Sequence, residues 1–423
     1  MPSTPTAPST AQSIAVQLEK VRPVVKKAFE TEDVLLDFFK ENGDVEVIGT
    51  RAVRAPIYIR PGGAASQGTG DFDDKGRGSG SVWDFATVST IEFHFAFEVS
   101  KLAEYATDSK SKAVENVATA EVANAMENFK AFLDRLTNTA GSGVLDTIGA
   151  IATSTTFTVT NADMFFYNQL IQVYSSTLAT NRGLCKVVAV DPLAKTITVD
   201  AAPGGTIAGD VLVININQGT SGANPVSLQG LLYTHVDSAT GSWQGLARSS
   251  YPEALKTPHI AAAAAAITPG MVRLLFSKIR RVLGSKQFEK EELIPYMNVD
   301  QEAAWENTGL NVSSIIINQV GGSNAPEVGK KSPPATMMGR KIMSSIHATP
   351  GRVDMVMPKH WWRAVTKEID FFEEGGQTVF PLYGTSGGLL SGYISYLDTV
   401  FQIGADLPRF GGFIDGAAQP PGY

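Results

Sequence analysis

Ser386 stands in "GTSGG", residues 384–388, and a serine at G-x-S-x-G spacing is the arrangement of a hydrolase nucleophile elbow, where a sharp strand-to-helix turn lifts the hydroxyl toward an acyl group. Such a serine needs a histidine base, which in that family follows it in the chain. All five histidines here, His94, His235, His259, His347 and His360, precede Ser386, so a glycine-rich turn is the better reading. The stretch "DFDDKG", residues 71–76, opens like a calcium loop, with alternating acids and a glycine in sixth place. Its fifth place is Lys75 and its twelfth is Val82, where a bidentate glutamate is required, so these acids read as solvated loop charge. "GRGSG", residues 76–80, lacks the lysine-plus-hydroxyl ending of a phosphate-binding loop, and HExxH is absent. Cys185 is the only cysteine, which excludes an intramolecular disulfide framework and a multi-cysteine zinc site and fits a reducing compartment. Neither a cofactor nor a metal is expected.

The 423 residues, 43% of them hydrophobic, can build more than one core. With 35 basic against 42 acidic residues, the net charge of -7 argues against a surface made mainly to grip a phosphate backbone. No apolar run approaches the ~20 residues of a membrane span, and "MPSTPTAPST" lacks the basic start and apolar centre of a secretion signal. The tract "KIRRVLGSK" is basic on one helix face but short, which favours a solvated or subunit-facing surface over nucleic-acid contact. Trp361, Trp362, Phe371 and Phe372 read as core packing rather than a stacking box.

The elements around these motifs follow from periodicity. Residues 14–40 are helical in part, with a sparse apolar face broken at Pro23, as in an arm that docks on other parts of the chain or on other chains. From Val45 the period is two, through Val47, Val53, Ile57 and Ile59. A second arm places Trp83, Phe85, Ile91, Phe93, Phe95, Phe97 and Val99 on odd positions, so a long hairpin with one apolar face is expected, each arm reaching roughly 50 Å. Its tip, residues 61–82, is longer than the ~12 to 15 residues usual for a structureless loop. Residues 108–139 carry apolar side chains at spacings of three and four, with Asp108 or Ser109 to start a helix and Gly141 to end it. Residues 147–217 are strand- and turn-rich, unlike their neighbours, and read as an inserted β-domain. Beyond them "ITPGMVRLLFSKIRRVLG" and "PKHWWRAVTKEIDFFE" are expected as amphipathic helices.

An N-terminal arm, a hairpin with a glycine-rich tip and a long following helix, in that order, resemble the major capsid protein of tailed double-stranded DNA bacteriophages, the Hong Kong 97-like fold. The stretches "SWQGLARSSYPE", "ELIPYMNVDQEAAWE" and "MMGRKIMSSIHATPGRVDMVMPKHWWRAV" are similar to segments recurrent in that family. The resemblance implies an α+β chain divided into an N-terminal arm (1–44), an extended hairpin loop (45–100), a peripheral domain with a spine helix (101–146), the inserted β-domain (147–217), and an axial domain with the rest of the peripheral domain (218–423). It also implies a non-enzymatic subunit that joins copies of itself in hexamers and pentamers to form an icosahedral shell in the virion, assembled in the host cytoplasm. A portal would be a partner, and assembly would use a separate scaffolding protein or proceed without a scaffold, with a decoration protein as a further candidate partner. The shell would enclose double-stranded DNA without reading its sequence, with no membrane contact; since packed DNA repels acidic protein, its excess carboxylates are expected mainly outside or at subunit contacts, with the inner wall closer to neutral. Arg60, Asp71, Asp73, Asp74, Lys75, Arg77, Trp83 and Phe85 of the loop are the expected intersubunit contacts. The readings left beside it are a serine hydrolase using Ser386 and a β-rich binding or adhesion protein.

Overall fold

The computed structural model describes residues 34–42, 44–47, 51–65, 67, 77–107, 117–153, 155–215, 225–306, 336–384 and 387–419. The chain is mixed α and β, and its described residues divide into two compact units, one drawn from Thr90–Leu133 and Val365–Phe401, the other from Val34–Ser89, Asp134–Ala364 and Gln402–Tyr423.

In the first unit, strand Ile91–Ser100 pairs antiparallel with the long strand Leu389–Ala405, in register from Phe401↔Ile91 to Gly392↔Ser100. The alternation expected there is present, with Phe93, Phe97 and Val99 buried and Glu92, His94 and Glu98 exposed. Their rings meet Phe401 at 5.8 Å and Phe371 at 6.4 Å, while Phe95 meets Phe129 of helix Val117–Thr137 at 5.8 Å.

This strand is not the continuation of the hairpin arm. The hairpin consists of Ala52–Arg60 and Val82–Ser89 alone, so each arm spans about 30 Å at the rise of a strand, not 50. Parity explains the break. In Val82–Ser89 the buried residues are the even ones, Ala86 and Val88, whereas beyond Thr90 they are odd. A change of one residue in phase turns every side chain to the opposite face, and Thr90 is where it happens.

One other expectation is corrected. Residues 361–371 of "PKHWWRAVTKEIDFFE" form a strand, Trp361–Phe371, after a single 3-10 turn. Five consecutive buried residues, Trp361 to Val365, followed by alternation, suit a strand covered on both faces, and aromatic and β-branched content favours it over a helix. The described part of the N-terminal arm docks on other parts of its own chain. Helix Val34–Asn42 buries Leu35, Leu36, Phe38 and Phe39, and Phe39 stacks on Trp361 at 5.0 Å. Its first turn is anchored by a residue far away: the Leu35 and Leu36 amides donate to Asp134 Oδ1 at 2.8 and 2.9 Å. The other carboxylate oxygen lies 2.7 Å from His347 Nδ1, in a pair with no exposed side-chain surface.

The long helix ends at Thr137, not Thr139, because side chains take over its last carbonyls. Thr137 Oγ1 and Asn138 Nδ2 donate to Asp134 O at 2.6 and 3.0 Å, and Thr139 Oγ1 to Leu136 O at 2.8 Å. The positions offered for its start, Asp108 and Ser109, lie outside the described residues.

The second unit holds two larger sheets. One has seven strands, all between Val144 and Ile214, in the order Val144–Thr147, Val211–Ile214, Leu170–Tyr174, Asn181–Asp191, Thr196–Val199, Thr156–Thr158, Ala150–Thr153. It overlaps the β-rich stretch read at 147–217 but starts three residues earlier, at Val144; Cys185 is buried in it, its thiol pushed up to about 12 by burial and then by Asp200. The other sheet runs His259–Ala261, Gly412–Asp415, Val353–Val356, Ile294–Met297, Met343–Ser344. Helix Pro269–Leu283 lays Val272, Leu275 and Ile279 into one core with Ile260, Met297, Val353, Met355 and Ile414. Gly412 permits that approach, since a Cβ there would stand 2.8 Å from Ile279 Cδ1.

Asp354, on the middle strand, is 4% exposed and receives His235 Nδ1 at 2.8 Å and a two-pronged Arg352, at 2.8 and 2.9 Å. Burial would raise its carboxyl, but the Arg352 charge and the hydrogen bonds of His235 and Arg352 overrule it and hold it at about 2, against 3.8. A depressed folded value stabilises above the unfolded value near 4, and that contribution is lost as pH falls through about 2. The shift is worth roughly 2 kcal/mol. The stability gap between parent and Asp354→Asn, from urea titrations, is therefore expected to shrink by that amount between about pH 5 and pH 2. A gap that stays constant would show that the carboxylate is not held this way.

Candidate intersubunit surface

The hairpin's two faces are made by different residues. Inward, Val53, Ala55 and Val88 pack on Trp362 and Ala364, and Ile57 and Ile59 are buried. Outward, the register sets Tyr58 opposite Trp83 and Pro56 opposite Phe85. Tyr58, Trp83 and Phe85 are 45%, 61% and 56% exposed, and the Tyr58 and Trp83 rings meet at 4.8 Å. Three large rings on one side of a two-stranded ribbon are an apolar surface that water covers in the isolated chain.

The ribbon is fixed by its own chain through "SWQGLARSSYPE". Ser242–Trp243 pairs with Leu246–Ala247 across Gln244 and Gly245, both at positive φ (46° and 85°), as a two-residue hairpin requires. Buried Trp243 anchors that turn, and the Gln244 carbonyl accepts from the Thr87 amide at 2.7 Å. Tyr251 donates its hydroxyl to Asp84 Oδ2 at 2.9 Å, and Arg60 pairs with Glu253. The Arg60 hydrogen bond holds the Glu253 carboxyl below its ordinary value, though a pair this exposed adds little stability. Gln244, Tyr251 and Glu253 carry no signal that sequence alone reveals, because each acts through a partner more than 150 positions away.

Of the residues expected to meet a neighbour, Trp83 and Phe85 lie together on the outward face, Arg60 is engaged by Glu253 of its own chain, and Arg77 is exposed. Asp71, Asp73, Asp74 and Lys75 lie outside the described residues. Toward the tip the ribbon stays narrow, with Gly63 N donating to Ser79 O at 2.7 Å and a Cβ on Gly62 only 2.4 Å from Ser81 N.

Ser386 itself is outside the described residues, but its surroundings are not a nucleophile elbow. Phe380–Tyr383 and Leu389–Ala405 are antiparallel partners, with Tyr383 opposite Leu389, so the segment joins strand to strand rather than strand to helix. Gly384 N donates to Gly388 O and Gly387 N to Gly384 O, both at 2.8 Å, as in a tight hairpin turn.

No family model matches the chain, and no match is found among curated proteins. Among solved structures the chain is similar to the cyanophage A-1(L) capsid asymmetric unit, at 13% identity and a TM-score of 0.56, over 96% of this chain and 98% of that one. It is similar more loosely to the capsid of an empty GTA particle computed with C5 symmetry, at 9% identity and a TM-score of 0.47, over 97% and 98% of the two chains. The capsid structure of cyanophage P-SCSP1u follows at 12% identity and 0.45, over 95% and 93%. The likeness that carries weight is the first, and it is one of fold.

Proposed function

We propose, for a chain that has the α+β Hong Kong 97-like capsid fold over nearly its whole length, that it is the shell-forming major capsid protein of a tailed double-stranded DNA phage. The observation that carries this reading is the outward aromatic face of the hairpin on that fold. The ribbon is backed by its own chain on one face only, and on the other it exposes three rings that a neighbouring copy would cover. Copies join as hexamers and pentamers into a closed shell in the virion, with a portal at one vertex and a separate scaffolding or decoration protein. Assembly takes place in the host cytoplasm, and the enclosed DNA is not read by sequence. The seven-stranded sheet is an inserted domain within this plan, and the chain performs no catalysis.

Negative-stain images of purified protein across assembly conditions test the reading: closed shells or capsomer rings are expected, and only small monodisperse particles would overturn it. A sharper test replaces Trp83 and Phe85 together by alanine. Both side chains are largely exposed, so thermal melting of the unassembled subunit is expected to change little, by under about 1 kcal/mol. Shell yield by sedimentation is expected to fall at least tenfold, since ~1 to 2 kcal/mol lost at each interface recurs at every equivalent contact. Unchanged yield would remove the aromatic face from the interface.

A further inference from the structure

Helix Pro269–Leu283 and the short helix Ser285–Lys290 concentrate positive charge in an acidic chain. Residues 269–290 hold six basic side chains and one acidic, a net of +5; the whole chain stands at -7, which leaves -12 on everything else. All six, Arg273, Lys278, Arg280, Arg281, Lys286 and Lys290, are exposed, because the apolar stripe of Val272, Leu275 and Ile279 takes the opposite face into the core. Two are engaged by their own chain: Arg280 bonds Ser285 Oγ and Glu289, at 2.9 and 3.1 Å, and Lys278 donates to His259 O at 2.7 Å. Arg273, Arg281, Lys286 and Lys290 have no ion-pair partner among the described residues.

The short helix also borders an open cavity of about 700 Å³, lined by Ser285, Lys286, Gln287, Lys290, Glu291 and Lys359. Glu291 is 8% exposed, and its carboxylate lies 3.7 Å from Lys359 Nζ and 3.9 Å from His360 Nε2. Among the described residues, the one carboxylate lining this cavity is thus offset by the Lys359 ammonium at its side, and Lys286 and Lys290 remain to face a ligand.

We infer that this two-helix face is a docking surface for the phosphates of a nucleic-acid duplex. Two observations favour phosphates over an acidic protein. The cores of protein interfaces are apolar and depleted in lysine, whereas the only large apolar side chain exposed on these two helices is Leu274. On the longer helix the charges from Arg273 to Arg281 are spread along roughly 12 Å of axis, and the short helix sets Lys286 and Lys290 beside them, so separate cations meet separate phosphates rather than one carboxylate. Lysines acting as point charges confer no base preference. The inference rests on the shell reading only for the source of the duplex, and it makes the surface that meets DNA locally basic rather than neutral.

Fluorescence anisotropy of the full-length unassembled subunit with a labelled duplex of arbitrary sequence tests it. Binding is expected at low salt, with log K falling against log salt with a slope of about -3 to -4 for four contacts. The triple variant Arg281→Gln, Lys286→Gln, Lys290→Gln should keep the parent's circular dichroism and melting, lose at least tenfold in affinity at low salt, and flatten the slope by about 2 to 3. Absence of binding by the parent at about 50 mM salt, a slope that the variant leaves unchanged, or stronger binding to poly-glutamate than to duplex would each overturn it. Shell formation by parent and variant is scored separately by electron microscopy, so a parent that binds DNA without forming shells refutes the capsid reading and not this one.

Discussion

Replacing Asp134 by alanine is expected to cost the subunit about 3 kcal/mol or more, at roughly 1 to 3 kcal/mol for each buried donor left without its acceptor. One carboxylate serves three donors in separate parts of the chain: the amides of Leu35 and Leu36 and the ring of His347. Alanine leaves two helix-terminal amides and a buried imidazole without their acceptor, and no solvent reaches the pair to replace it. The polar surroundings are equally dry. Tyr296 donates to Asn138 Oδ1 at 2.8 Å, and burial, then the nearby Asp134 charge, pushes its phenol well above the usual range. Asp134→Asn keeps an oxygen for the amides and should cost less than alanine. Urea titration of both variants checks the order, and a loss below about 1 kcal/mol for alanine would show that the N-terminal helix is held by its apolar face alone.

Removing residues 62–81 and closing Pro61 to Val82 with a two-residue turn is expected to abolish shells while sparing the fold. The described residues of that stretch are exposed, and the strand pairs from Ala52↔Ser89 to Arg60↔Val82 remain. Shortening a loop changes its closure entropy only slowly with length, so the melting of the unassembled subunit should move by no more than a few degrees. The loss falls on contacts between copies, where even ~1 kcal/mol is a fivefold change in each association constant and is repeated over the lattice. Circular dichroism reports the fold and sedimentation the shells. An unfolded deletion variant, or one that assembles as well as its parent, would mean that the loop tip is no clasp.

What the sequence discloses here is what local periodicity can encode. Thr268 and Pro269 announce the helix that follows, and the Thr268 hydroxyl does accept from the Met271 amide. The β-rich stretch is legible because its hairpins are short and their turn residues distinct. The strand Trp361–Phe371 is not legible, since Trp361, Trp362, Val365 and Ile369 satisfy a helical spacing and a buried strand equally. Thr90 hides a change of phase between two runs that both carry aromatic residues on odd positions. The clasp of Tyr251 on Asp84 and the anchoring of Leu35 on Asp134 join positions 167 and 99 apart, and no periodicity spans such distances.

Strand Gly412–Asp415 lies inside its sheet, between His259–Ala261 and Val353–Val356, although it comes after both in the chain. That sheet therefore cannot close until Asp415 has been made, and the core around Val272 and Met355 stays unfinished until then. A chain cut short before Gly412 lacks a central strand and exposes two unpaired strand edges, so it is cleared or aggregates instead of competing with intact copies.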